Sequence, residues 1–142
     1  MAVSDFNQII IDEFRANGGR VETGGFGTGL VLLHHIGAKS GAERVSPVLG
    51  IPQGDGSILI AASKGGAPDD PAWLGNMRAH PDVSIETGDG SRIETVAVHA
   101  EVLSPEERDA GWKQFVERSP GFAAYEAKAG GRIIAVVRLS PR

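Results

Sequence analysis

Apolar positions along the chain recur first at helical and then at strand spacing. Phe6, Ile9, Ile10 and Phe14 follow Ser4 at intervals of three or four residues, so a helix capped by Ser4 and stopped by Gly18-Gly19 is expected, with one apolar face. Leu30-Val31-Leu32-Leu33-His34-His35-Ile36 is leucine-rich and β-branched and too short for a typical isolated helix, and it reads as a buried strand. The turn at 37–41 leads to a second strand over 45–51, and the Gly54-Asp55-Gly56 hairpin leads to a third over 57–62. Asp69 or Asp70 is placed to cap a short helix with Pro71 in its first turn, running through Trp73 and Met77 until Pro81 forbids continuation. Strands at 83–87 and 93–103 are joined through Gly88-Asp89-Gly90. Ser104-Pro105-Glu106-Glu107 is a capping-box pattern opening a helix that turns Trp112, Phe115 and Val116 inward and ends at Pro120-Gly121. A brief helix at 122–128 precedes a last strand at 133–137.

Six strands and three or four helices define an α+β chain whose sheet is mainly antiparallel and hairpin-linked. Closing such a sheet removes its exposed edges and gives a small barrel with helices packed outside. Composition narrows what the barrel can be. At 142 residues with 41% hydrophobic content, the sequence suits a single domain over 1–142, with one core. Twenty glycines against 6% aromatic residues fit many tight turns between short elements. The net charge of -4 lacks the basic footprint that a phosphate backbone requires, which argues against a nucleic-acid partner. Without cysteine there are no disulfides, thiolate metal sites or cysteine nucleophiles. No apolar run reaches membrane-spanning length and no basic region precedes an apolar stretch at the N-terminus, so a cytoplasmic location is expected.

The stretch richest in candidate chemistry is Ala62-Ser63-Lys64-Gly65-Gly66-Ala67-Pro68, which leaves a strand and enters the helix begun by Pro71-Ala72-Trp73. Glycines let backbone amides approach a ligand, a helix N-terminus offers unpaired N–H donors, and Lys64 supplies a charge. The same order of residues also describes a plain turn, since it is neither a Walker loop nor a dinucleotide fingerprint. Gly37-Ala38-Lys39-Ser40-Gly41-Ala42-Glu43-Arg44 is a second candidate, with Lys39 and Arg44 near one end of the sheet, or else an ordinary solvated turn.

Taken together, these segments resemble the deazaflavin-dependent nitroreductase family. There a Gly-Arg-Lys-Ser-Gly turn, an arginine and a proline precede a Ser-Lys-Gly-Gly loop and a Pro-x-Trp-x-x-Asn helix start. Here they read Gly37-Ala38-Lys39-Ser40-Gly41, Arg44, Pro47, Ser63-Lys64-Gly65-Gly66 and Pro71-Ala72-Trp73-Leu74-Gly75-Asn76, continuing into Ala79-His80-Pro81 and Val83. Phe14 to Val21 also looks like the family's opening segment, so the resemblance runs from about Phe14 to the last strand.

The resemblance implies a split β-barrel, similar to flavin-binding split barrels, that holds coenzyme F420 in a groove with the deazaflavin ring beside the Ser63-Lys64-Gly65-Gly66 loop. F420 carries a phosphate and an oligoglutamate tail, so basic residues should line one end; Lys39 and Arg44 fit, with Lys64 nearer the ring. Pro47, Ala62, Ser63, Ala72, Trp73 and Asn76 match family positions around the ring. The implied activity is hydride transfer from reduced F420 to an electron-poor acceptor such as an enone, a quinone, a coumarin-type lactone or a nitro compound. Phe122 and Tyr125 would stack on that acceptor, and the Tyr125 or Ser63 hydroxyl would bond its oxygen.

Departures from the pattern shape this expectation. Ala38 replaces the turn's usual arginine, His34-His35 stands where threonines are common, Gly75 replaces a larger residue, and Ser119 stands where an aromatic can sit. A more open acceptor pocket follows, and specific nitroimidazole reduction is not implied. Alternatives are a flavin mononucleotide oxidoreductase on a related barrel, a non-catalytic F420-binding or storage protein, and a plain interaction domain in which 63–66 is only a turn. Adjacent His34 and His35 point to opposite strand faces and do not form a metal site; no metal is expected. His80 and His99 read as exposed or capping residues, and Trp112 and Phe115 as core. Trp73 reads either as a ring contact or as a barrel plug. Both a monomer and a homodimer are compatible with the sequence.

Overall fold

A computed structural model describes residues 3–63, 66, 69–119 and 121–142. The elements in order are helix α1 (Val3–Ala16), strands β1 (Leu30–Ile36), β2 (Glu43–Leu49), β3 (Ile51–Pro52) and β4 (Ile58–Ala61), helix α2 (Ala72–Ala79), strands β5 (Asp82–Gly88) and β6 (Ile93–Val102), helices α3 (Pro105–Arg118) and α4 (Gly121–Lys128), and strand β7 (Val136–Pro141). Among the described residues the strands form one seven-stranded sheet in the order β2-β1-β5-β6-β7-β4-β3, with every ladder antiparallel.

The two ends of that order are consecutive in the chain. β2 pairs with β1 and β3 pairs with β4, and only Gly50 separates β2 from β3. One kinked strand therefore closes the sheet, while β2 and β4 share no ladder, and the barrel is split between them. The expected split barrel is present. The single strand expected over 45–51 is instead two pieces, because the chain must change partners at residue 50. Glycine is needed there for space: a Cβ at Gly50 would lie 2.9 Å from Ile58 Cγ2 and 3.2 Å from Val31 Cγ1.

Alternation along the strands divides the core. Val31, Leu33, Ile60, Val83, Ile85, Val98, Val137 and Leu139 fill the barrel, with Trp73, Leu74 and Met77 of α2 packed on them. α3 covers another part of the sheet through Trp112 and Phe115 against Leu59, Leu103, Ile134 and Val136. α1 buries Ile10, Ile11 and Phe14 on Val21, Leu30 and Leu32. Its apolar stripe differs from the expected one, since Phe6 and Ile9 are exposed and Ile11 takes their place in the core. Among the described residues no helix is long and apolar enough to cross a membrane.

Three local expectations are corrected. The last strand begins at Val136 and runs to Pro141 rather than over 133–137, because the β4 ladder starts with Ala61 opposite Val136; Ile133 is 74% exposed. Neither Asp69 nor Asp70 caps α2: the cap position is Pro71, and the Asp70 carboxylate accepts from Arg132 Nη1 at 2.9 Å. Ser104 occupies the cap of α3, but its hydroxyl makes no cap bond and donates to Glu107 at 3.3 Å.

A partly buried charge cluster fastens α1 to the sheet. Arg15 donates to both oxygens of Glu86, at 3.2 and 2.7 Å, and His34 bridges Glu86 (2.6 Å) and Glu43 (2.8 Å). The Arg15 hydrogen bond, against the opposing effect of burial, holds the Glu86 carboxyl below its ordinary value of 4.5. Burial would depress the His34 imidazole, but its bonds to Glu43 and Glu86 outweigh that and raise it above 6.5. The Glu86 contribution is therefore complete above pH 4.5 and fades as pH falls through the lowered folded value. The His34 contribution is complete below pH 6.5 and fades as pH rises through the raised one. A His34→Gln variant should consequently lose more thermal stability, relative to the native chain, at about pH 6 than at about pH 9. Differential scanning fluorimetry across that range checks this, and a deficit independent of pH would contradict it.

Candidate active site

The split between β2 and β4 opens outward into a groove of about 260 Å³. Its floor is Pro47, Val48 and Leu49 of β2 together with Ala61 and Ser63 at the end of β4. One wall is Phe6, Asn7 and Ile10 of α1, continued by Phe26 and Leu30. Phe115 of α3, Phe122 and Tyr125 of α4 and Trp73 of α2 complete the lining. The groove is thus apolar and aromatic on several sides, with the hydroxyls of Ser63 and Tyr125 and the amide of Asn7 among its polar groups. Such a lining suits a flat, largely apolar ring system with a few polar edges.

The aromatic wall is built from contacts between rings. Phe122 packs edge-on against Trp112 at 5.8 Å and Tyr125 at 5.4 Å, and lies 5.4 Å from Phe115. Trp112 is core as expected, whereas Phe115 is both core and groove wall. Trp73 is 7% exposed in the barrel core and also borders the groove.

The loop leaving β4 is clamped by a residue that the sequence reading passed over. Arg132 donates through Nη1 to the Ala62 carbonyl (3.0 Å) and to Asp70 (2.9 Å), and through Nη2 to the Ser63 carbonyl (2.8 Å). One guanidinium fork thereby ties the strand exit to the entrance of α2. The Gly66 N–H also donates to the Ser63 carbonyl, at 2.9 Å. A Cβ on Gly66 would fall 2.9 Å from the Tyr125 backbone, so glycine lets the loop lie against α4. Lys64 and Gly65, both expected at the cofactor, lie outside the described residues.

Of the other expected site residues, Pro47, Ser63, Trp73, Phe122 and Tyr125 converge on the groove. Ala62 does not reach it: its side chain is fully buried in the barrel, and neighbouring Ala61 lines the groove instead. Ala72 is the exposed first residue of α2. Lys39 and Arg44 are exposed, outside the groove lining, and make no ion pair among the described residues. Arg44 lies three positions before Pro47 on β2, a spacing of about 10 Å along a strand. Asn76, expected beside the ring, is not among the groove-lining residues; it is buried and spends its amide on the protein, Oδ1 accepting from the Ala38 N–H and Nδ2 donating to His35 Nδ1, both at 3.0 Å. Phe6, Ile10 and Phe26 were not anticipated as groove residues. For Phe6 and Ile10 the signal was their i, i+4 spacing, which reads equally as core. Among the described residues no group of three His, Cys, Asp or Glu side chains could hold a metal ion.

An antiparallel barrel split by a groove with aromatic lining defines a flavin-type split-barrel protein. The model of the F420H(2)-dependent quinone reductase family matches residues 8–141, and the chain belongs to that family, one of oxidoreductases whose coenzyme is F420. An F420H(2)-dependent quinone reductase of Mycobacterium tuberculosis is 45% identical over 58 residues, a match covering 41% of this chain and 38% of that protein's length. A second protein of that organism, provisionally named an F420H(2)-dependent quinone reductase, is 33% identical over 112 residues, covering 79% of this chain and 89% of the relative. Among solved structures, the F420-H2 dependent reductase FDR-A aligns with a TM-score of 0.68 and 36% identity over 79% of this chain and 94% of its own.

The clamp on the Ser63 loop has a measurable consequence. Arg132→Met removes three charge-assisted hydrogen bonds from a guanidinium only 11% exposed, and should lower stability by about 2 kcal/mol. The Gly66 amide should exchange with solvent markedly faster in the variant, read by hydrogen exchange beside a thermal melt. Unchanged exchange at Gly66 would show that the loop holds its shape without the clamp.

Proposed function

We propose that the protein is an F420H2-dependent reductase that passes a hydride to an electron-poor acceptor, a quinone first and activated enones, coumarin-type lactones or nitro compounds by the same chemistry. The observation that carries this reading is the open groove, in which Phe122 and Tyr125 form one wall facing Pro47, Ser63 and Trp73 rather than filling the space between them. Hydride transfer between rings requires an acceptor to reach the ring's open face, whereas a storage site would be covered by its own aromatic residues.

The residues present fit the coenzyme. Apolar walls would accept the ring, Ser63 would meet its polar edge, and the exposed cations Lys39 and Arg44 suit a phosphate and a glutamate tail. F420, when bound in its reduced form, supplies the hydride. The chain's share is to hold both reactants face to face, to exclude water with α1 and α4, and to donate a hydrogen bond from Tyr125 or Ser63 to the acceptor oxygen as it gains negative charge. Acceptors with an accessible carbonyl beside an activated double bond meet these demands. The family name and the quinone reductases among the relatives support placing quinones first.

Fluorescence titration with F420, and in parallel with flavin mononucleotide, tests the cofactor; turnover of a simple naphthoquinone by reduced F420 tests the reaction. Binding of F420 in preference to flavin, followed by quinone reduction, is expected. Flavin preference would favour the related oxidoreductase reading, and F420 binding without turnover of any acceptor class would favour a storage protein. The double variant Lys39→Ala, Arg44→Ala should weaken F420 binding by on the order of tenfold and flatten its salt dependence. Unchanged affinity would move the tail site to another surface.

A further inference from the structure

We propose that His35 is a positioning residue for the coenzyme's anionic tail: through Asn76 it fixes the turn at 37–42 that carries Lys39. The inference rests on the F420 reading above and adds residues that contact no ligand themselves. His35 is 3% exposed and sits at the end of β1, opposite Arg44 of β2 in the ladder.

The hydrogen bonds determine one another. The Ala38 N–H can only donate, so the Asn76 atom 3.0 Å from it is the amide oxygen, and the Asn76 NH2 must face His35. His35 Nδ1 therefore accepts, the ring is neutral, and its proton resides on Nε2, which donates to Ser46 Oγ at 3.0 Å. A single chain of bonds runs from Ser46 on β2, through His35 on β1 and Asn76 on α2, to the backbone of the turn. The turn is braced internally by Gly37 N–H to the Ala42 carbonyl and Gly41 N–H to the Gly37 carbonyl, both 2.9 Å, so it moves as one piece. The Asn76 bond to Ala38 ties that piece to α2, the helix that also carries Trp73.

The arrangement tolerates only neutral His35. A proton on Nδ1 would set donor against donor at Asn76; relieving this by turning the amide over would present NH2 to the Ala38 N–H and break the link to the turn. Burial first, then the charges of Arg44 on β2 and His34 on β1, disfavour that proton and hold the imidazole below 6.5. From α2 the ring meets the neutral Asn76 amide, and from β2 it also meets the Ser46 hydroxyl. The link is thus intact at neutral pH and opens as pH falls below the ordinary histidine value of 6.5.

The test compares two probes on the same protein: F420, and the tailless 8-hydroxy-5-deazaflavin that lacks phosphate and glutamates. His35→Leu and Asn76→Ala should each weaken F420 binding roughly tenfold, the factor that about 1.4 kcal/mol represents, with the tailless ring bound as before. The double variant should be no weaker than either single one, and His35→Asn, which restores an acceptor near the Nδ1 position, should recover most of the loss. Without any ligand, the Ala38 amide resonance should shift with the same midpoint as the His35 imidazole on acid titration. Equal loss of both probes would mean general damage to the barrel and overturn the proposal, as would an Ala38 resonance indifferent to His35. Lys39→Ala distinguishes failure of the tail site from failure of the positioning role. If it leaves F420 affinity unchanged, the tail-site reading itself fails. If it weakens F420 while the His35 and Asn76 variants do not, the positioning role alone fails.

Discussion

The structure depends on one strand that changes partners. Residues 43–52 pair first with β1 and then, past Gly50, with β4, so a single backbone closes the barrel and at the same time prevents β2 and β4 from zipping together. The close approach of Ile58 and Val31 leaves no room for a Cβ at the bend. Unpaired sheet edges are a liability in most folds. Here the gap between two such edges is used, because α1 on one side and α4 on the other turn it into a lined groove.

What holds the groove walls in place is polar, while what fills the barrel is apolar. Arg15, Glu86 and His34 fasten α1, Arg132 fastens the Ser63 loop to α2, and Asn76 with His35 fastens the turn at 37–42. Each of these bonds contributes only about 0.5–3 kcal/mol, against the much larger total from burial of the core. Their value is directional. A hydrophobic contact permits a helix to slide or roll, whereas a two-pronged guanidinium or an oriented amide fixes where the neighbouring segment lies. All three links involve a group that ligand binding alone would not select.

Much of this was legible in the sequence, for physical reasons that can be named. β-branched and leucine-rich runs such as 30–36 and 83–87 announced strands, and the glycine turns between them announced antiparallel neighbours. Motif order then pointed to the groove through Pro47, Ser63, Trp73, Phe122 and Tyr125, all of which line it. The misses share a cause: each was decided by a tertiary contact. The change of partner at Gly50 is invisible in a run that alternates as one strand, and the last strand starts where β4 can pair with it, so Ile133 is left outside. Alternation at the end of β4 turns Ala62 inward and Ala61 toward the groove, a one-residue difference that motif matching does not resolve. Arg132 and His35 carry no local motif, and their roles appear only when distant segments meet.

We propose the gap between β2 and β4 as the place where coenzyme and acceptor meet. A crystal structure of the protein with F420 bound tests it most directly. The deazaflavin ring is expected against Pro47, Ser63 and Trp73, its anionic tail toward Lys39 and Arg44, and an open face toward Phe122 and Tyr125. A ring found in another surface depression, such as the one bordered by Gly29, Gly50 and Arg118, would contradict it.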